Sequence, residues 1–192
     1  NDPTGREQLL SLGAQSVPVL AKGGQFIFCQ NMEDVAEFVG LQGSGHSPLP
    51  PEVLFEKWIT VLCASQRYVR QIPDPRLTER AIDNRDRSIR LLSHHIFRIG
   101  EAFLETALDD VEYWTNNANV PPAEGSCMTS VEIAAYGDGI IERIENWWAQ
   151  LDDKSCRQKV KTFYGTPPMH QLFERSVAFG ATDLLVGRDL VG

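Results

Sequence analysis

The chain has 192 residues, 42% of them hydrophobic and 23% charged, and carries a net charge of -8. That length suffices for one domain with a good core, or one domain with an appendage. The acidic balance excludes the basic surface that nonspecific nucleic-acid binding needs, and no apolar run approaches the roughly 20 residues that cross a bilayer.

No charged-then-apolar leader is visible, so a cytoplasmic protein with no nucleic-acid and no membrane partner is expected. The chain opens on Asn1 rather than Met, as a processed or truncated product would. Cys29, Cys63, Cys127 and Cys156 are widely spaced with no CxxC, so neither a zinc knuckle nor a dithiol motif is present and four free thiols are expected.

REQLLSLG, residues 6–13, reads as the end of a helix stopped by Gly13. SVPVLA, residues 16–21, reads as a strand, Gly23-Gly24 as a tight turn and QFIFC, residues 25–29, as a second strand. NMEDVAEFVG, residues 31–40, is a helix with Asn31 as N-cap and Gly40 as stop. LQGSGHSPLPP, residues 41–51, collects Gly, Ser and Pro, and a linker is placed at 42–51.

Beyond it the pattern becomes helical. Over residues 52–72, Leu54, Trp58, Val61, Ser65, Tyr68 and Ile72 alternate at spacings of four and three, and IPDP at 72–75 ends the run. Over 85–108 the seam is Ile89, Leu92, Ile96, Ile99 and Phe103; over 130–151 it is Ile133, Gly137, Ile140, Ile144, Trp148 and Leu151. VPPAEGS, residues 120–126, is a loop between them. A last helix starts at PPMHQLFERS and weakens at Gly180, Thr182 and Asp183, which are poor helix formers. Four helices on one seam predict a mainly α chain, an antiparallel four-helix bundle over 52–192, with Trp58, Ile96, Ile99, Phe103, Ile140, Ile144 and Trp148 in its core.

Two histidines stand side by side in the second of these helices. Residues three or four apart share a helix face. His94 falls with Arg87, Arg90, Arg98 and Glu101, a polar face that predicts exposure to solvent; His95 falls with Leu91, Leu92, Ile99 and Ala102, facing the interior. Buried there, the His95 ring needs a carbonyl, a carboxylate or a metal as partner. Without a metal, Tyr136, Asp138 or Glu142 of the third helix is the expected hydrogen-bond partner.

SVPVLAKGGQFIFCQNMEDVAEFVGL, residues 16–41, resembles the second half of a glutaredoxin or thioredoxin-type domain. The resemblance implies a partial domain over 1–41, a cis peptide at Val17-Pro18 and a thiol-binding role for Val17 and Pro18. The strand, helix and CxxC that open that fold are missing, so no redox nucleophile is expected. SIRLLSHHIFRIGEAFL, residues 88–104, with PMHQLFERS, residues 168–176, resembles the DinB/YfiT-like four-helix bundles. That resemblance implies a divalent metal, zinc or nickel, on three histidines, one of them matching His95-Ile96 and two in a Trp-His-x-x-x-His run of the last helix. It implies transfer or isomerisation chemistry with a small-molecule thiol, glutathione being the natural guess, and an electrophile.

The chain departs from that pattern after Glu174-Arg175-Ser176, where it reads VAFGATD. His95 is the expected metal ligand, with His94 and His170 as further candidates, and Asp183 or Glu174 as carboxylate substitutes. Codons for Val-Ala-Phe-Gly shifted by one nucleotide can read Trp-His-Ser-Gly, as a frameshift near residue 177 would leave. The expectation is a metal- and thiol-dependent transferase or isomerase with an incomplete ligand set; the alternative is a non-catalytic bundle or interaction module. A half-domain with open strand edges also predicts a homodimer.

Overall fold

The computed structural model of the chain describes residues 3–14, 18–30, 32–42, 45, 47–82 and 86–188. It is mainly helical, as expected, with one two-stranded antiparallel sheet among the described residues. Its contacts divide it into two units, residues 1–48 and 49–192. No helix among the described residues is long and apolar enough to cross a membrane.

In the first unit, α1 (Pro3–Ser11) stops where Ala14 N–H returns to the Leu9 carbonyl at 3.0 Å. Strands β1 (Val19–Lys22) and β2 (Gln25–Phe28) pair in the register Val19 to Phe28 and Lys22 to Gln25. Gly23 and Gly24 both hold positive φ, 60° and 79°, the turn whose twist matches that of the two strands. α2 (Met32–Val39) packs on β2 and buries Ala36. It ends in a Schellman pair, Leu41 N–H to Ala36 at 2.8 Å and Gly40 N–H to Glu37 at 3.0 Å. Ser16 and Val17 lie outside the described residues, and with them the expected cis peptide at Val17-Pro18; so does the expected N-cap Asn31.

The second unit contains four long helices: α3 (Pro51–Val69), α4 (Ile89–Asp109), α6 (Ser130–Gln150) and α7 (Met169–Arg188). Each start has a local cause. Pro51 opens α3, where its missing N–H is no loss. Ser88 caps α4 by accepting the Leu91 N–H at 3.2 Å. Thr129 and Glu132 form a capping box on α6. Between α4 and α6 lies a single turn, α5 (Thr115–Ala118), and after α3 a 3-10 turn over Asp74–Thr78; the sequence reading placed neither. α7 runs unbroken through Gly180, Thr182 and Asp183. A Cβ on Gly180 would meet Val61 and Trp58 of α3 at 3.7 and 3.9 Å, and this packing outweighs a propensity deficit of about 1 kcal/mol.

The four helices pack around one core, but not in the all-antiparallel order expected. Contacts between Trp58 and Phe103, Phe55 and Trp148, and Gln66 and Asp138 set α3 antiparallel to α4 and α6. Phe103 with Phe173 and His95 with Asp183 set α4 antiparallel to α7. In contrast, Phe97 meets Gly137 and Gly100 meets Ile140, while Phe103 meets Trp147, so α4 and α6 run parallel. Trp58 with Phe173 and Val61 with Gly180 make α3 and α7 parallel. The connections 110–129 and 151–168 are long enough to carry the chain back across the helices.

Trp58, Ile96, Ile99, Phe103, Ile140 and Ile144 are buried, as their spacing predicts. The seventh expected core residue is corrected by one position. Trp147 is 4% exposed and meets Phe103 edge-on at 4.9 Å, whereas Trp148 is half-buried and stacks on Phe55 at 4.9 Å. The buried stripe Ile133, Gly137, Ile140, Ile144, Trp147 keeps alternating four and three to its end. Around the long connections, the Arg175 guanidinium lies among the rings of Tyr113, Phe163, Tyr164 and Phe179, 4.9 to 5.8 Å from their centroids.

The parallel α4–α6 contact is close because glycines admit it. A Cβ on Gly137 would sit 2.6 Å from the Phe97 ring, and one on Gly100 would sit 2.8 Å from Ile140. Gly137→Ala should therefore destabilise the protein despite better helix propensity, since overpacking costs about 1–3 kcal/mol against a gain of about 1 kcal/mol. With Phe97→Leu in place the clash is relieved and the same substitution should become neutral or stabilising. Urea unfolding of the four proteins of this cycle measures the change of sign; an unchanged cost in both backgrounds would refute the contact.

Candidate functional site

The two neighbouring histidines of α4 enter different surroundings. His94, expected in solvent, is only 6% exposed, and its ring stacks on Tyr136 of α6 with centroids 4.8 Å apart. The polar face of α4 is covered by α6 and by the 120–127 loop. Arg90 ties that loop down, donating from Nε to the Cys127 carbonyl at 2.8 Å and from Nη2 to the Ser126 carbonyl at 2.7 Å. Arg98, 7% exposed, pairs with Glu105 at 2.9 Å and Glu101 at 3.3 Å. Glu101 also accepts the Tyr136 hydroxyl at 2.6 Å and Arg143 at 3.0 Å. The charges that marked this face as exposed thus satisfy one another within the fold.

Burial, reinforced by the Arg98 charge, pulls the His94 imidazole down to about 4, so it is neutral at physiological pH. Burial and the bond to Glu101 push the Tyr136 hydroxyl above its ordinary value. A cavity of about 570 Å³ opens beside them, walled by His94, Arg98, Glu101, Tyr136 and the loop Val120–Ala123. A smaller one, about 250 Å³, is walled by His94, His95, Arg87 and Asn119. His94, Val120 and Pro121 line both.

His95 is partly buried, its side chain 14% exposed. Its Nδ1 lies 2.6 Å from the Ala118 carbonyl. A carbonyl only accepts, so Nδ1 bears the proton and Nε2 carries the lone pair. Nε2 faces Asp183 Oδ2 of α7 at 3.4 Å. Burial holds the ring below its ordinary pKa, Asp183 opposing that shift and Arg87 adding to it. These partners replace the expected Tyr136, Asp138 or Glu142. Tyr136 is held by Glu101 and His94, and Asp138 binds Gln66 and Arg70 across the α3–α6 contact. Ala118 belongs to the short α5, which no sequence signal marked.

His170 stands in the first turn of α7, its Nε2 2.7 Å from the Leu49 carbonyl. Thirteen residues separate it from Asp183, about 20 Å along the helix axis, so the structure does not bring it to His95. Glu174 accepts the Leu49 N–H at 3.3 Å at that same end.

The His95–Asp183 pair can be tested against a metal. Two ligands at about 2.0–2.2 Å from a tetrahedral zinc ion lie about 3.4 Å apart, and the observed separation is 3.4 Å. Among the described residues no group of three or more His, Cys, Asp and Glu side chains converges as a ligand set. All four cysteines are free. Burial raises the Cys127 thiol, and burial with Asp153 and Glu52 pushes Cys156 up to about 11, so both stay protonated at neutral pH. Comparisons with protein-family models, curated proteins and solved structures found no match.

His94 makes stability depend on pH with a defined sign. Below its ordinary value of 6.5 the unfolded chain takes up a proton that the folded imidazole refuses until about 4. Its contribution is therefore fully present above pH 6.5 and is lost as pH falls toward 4, at up to about 1.4 kcal/mol per pH unit. Urea unfolding between pH 7 and 4.5 should show this slope, flattened in His94→Phe; an equal slope in both proteins would refute the buried, neutral imidazole.

Proposed function

We propose that this chain is a divalent-metal- and thiol-dependent transferase or isomerase of the DinB/YfiT-like kind, with His95 and Asp183 as its metal-holding pair. The finer reading of the fold belongs to the same proposal: the four packed helices as a DinB-like bundle, the hairpin and α2 as a partial glutaredoxin/thioredoxin-like segment. The 3.4 Å separation of Nε2 and Oδ2 carries the reading. The backbone bond at Nδ1 supports it, because it turns the Nε2 lone pair toward the carboxylate. Two protein ligands leave positions for a thiol such as glutathione and for its electrophile. When bound, the ion would supply Lewis acidity that favours the thiolate over the thiol.

In the resembling family two histidines would follow Glu174-Arg175-Ser176 at positions 178 and 182. Here those are Ala178 and Thr182, both exposed. Asp183, the next residue, is the one that meets His95. A thiol-binding role for Val17 and Pro18, a homodimer and a cytoplasmic location remain part of the proposal. The second reading, a bundle without catalysis, is favoured by the two-membered ligand set.

Calorimetric titration of the full chain with zinc and with nickel tests the pair. One ion per chain is expected, with affinity falling at least tenfold in both His95→Ala and Asp183→Asn. Addition of glutathione to the zinc-loaded protein should raise the thiolate ultraviolet absorbance, and removal of metal by chelation should abolish that rise. Zinc affinity unchanged in both variants would sink the assignment; stoichiometric binding without any thiolate signal would favour the non-catalytic reading.

A further inference from the structure

We propose that the cavity beside His94 is a binding site for small uncharged hydroxy-aromatic molecules, phenols being the simplest, with the His94 imidazole as hydrogen-bond partner of the hydroxyl. At about 570 Å³ it lies in the range of small-molecule sites. His94 is the side chain that asks for a ligand. The residue is only 6% exposed, yet its ring nitrogens are not among the fully buried polar atoms, so its polar edge borders the cavity that it lines. Stacking on Tyr136 occupies one ring face and leaves the nitrogens at the edge. A ligand hydroxyl at this edge replaces a hydrogen bond to water in a largely desolvated position, while its ring fills the cavity.

The class of ligand follows from the walls. Glu101 already accepts from Tyr136, Arg98 and Arg143. Glu132 accepts the N–H groups of Met128 and Thr129. Arg98 is held between two carboxylates. An anion would meet more carboxylates than free cations, and a cation would compete with bonds already made. Val120, Pro121, Pro122 and Ala123 line the cavity with apolar surface, which suits a flat hydrocarbon ring. A hydroxyl both donates and accepts, so it can pair with either nitrogen of the ring edge, whichever of them bears the proton.

This site does not depend on the metal reading, so the experiment uses the full chain after treatment with chelator. Titration with 4-fluorophenol, followed by fluorine NMR, should give saturable binding at one site. His94→Phe keeps the stack on Tyr136 but removes the ring nitrogens, and affinity should fall about tenfold, as loss of one buried hydrogen bond implies. Ala135→Trp, at an exposed α6 position on the cavity wall, should abolish binding by filling the space, and serves should His94→Phe fold poorly. 4-Fluorobenzoate should bind at least tenfold more weakly. Absence of saturable binding, affinity unchanged in His94→Phe or Ala135→Trp, or benzoate binding as tight as phenol would each overturn the proposal.

Discussion

The close approach of α4 and α6 through Gly100 and Gly137 is the contact on which the rest of the second unit depends. Each glycine receives a large side chain of the other helix, Phe97 over Gly137 and Ile140 with Ile144 over Gly100. A methyl group at either position would push the helices apart. With them in contact, residues of similar height on α4 and α6 face one another, because the two helices run parallel. His94 then meets Tyr136, and Glu101 meets both Tyr136 and Arg143. The aromatic cluster of Trp58, Phe103, Trp147 and Phe173 closes the core near one end of this interface.

The same contact explains why a charged helix face is buried. Arg98, Glu101 and Glu105 would ordinarily mark solvent. Here they form a network with Tyr136 and Arg143, and Arg90 spends its donors on loop carbonyls. Burying such groups is tolerable only when nearly every donor and acceptor is matched. The polar edge of His94 instead borders the cavity that opens beside this network.

Consecutive positions on α4 thus serve opposite environments. A rotation of about 100° per residue sends His94 toward α6 and His95 toward α5 and α7. His95 is oriented by a backbone carbonyl and faces a carboxylate; His94 is oriented by a stacked ring and faces open space. The proposed metal pair and the proposed phenol site therefore need not share a ligand, although the two cavities meet at His94.

Helix spacing determined three of the four long helices, most of the core stripe and the inward phase of His95, because the period of apolar residues is a local property of the chain; the last helix was marked only by the prolines at its entrance. Turn and cap chemistry likewise marked the Gly23-Gly24 hairpin and the stop at Gly40. What the sequence left undecided was long-range. The direction in which each helix runs depends on how the 110–129 and 151–168 connections cross, and no local period encodes that. The choice of Trp147 over Trp148 depends on which side of α6 meets Phe103. The burial of His94 could not be read from its charged neighbours, because whether a polar face meets water or a matching set of partners is set by the helix packed against it. The pairing of His95 with Asp183 joins residues far apart in the chain, and only the antiparallel packing of α4 on α7 brings them together.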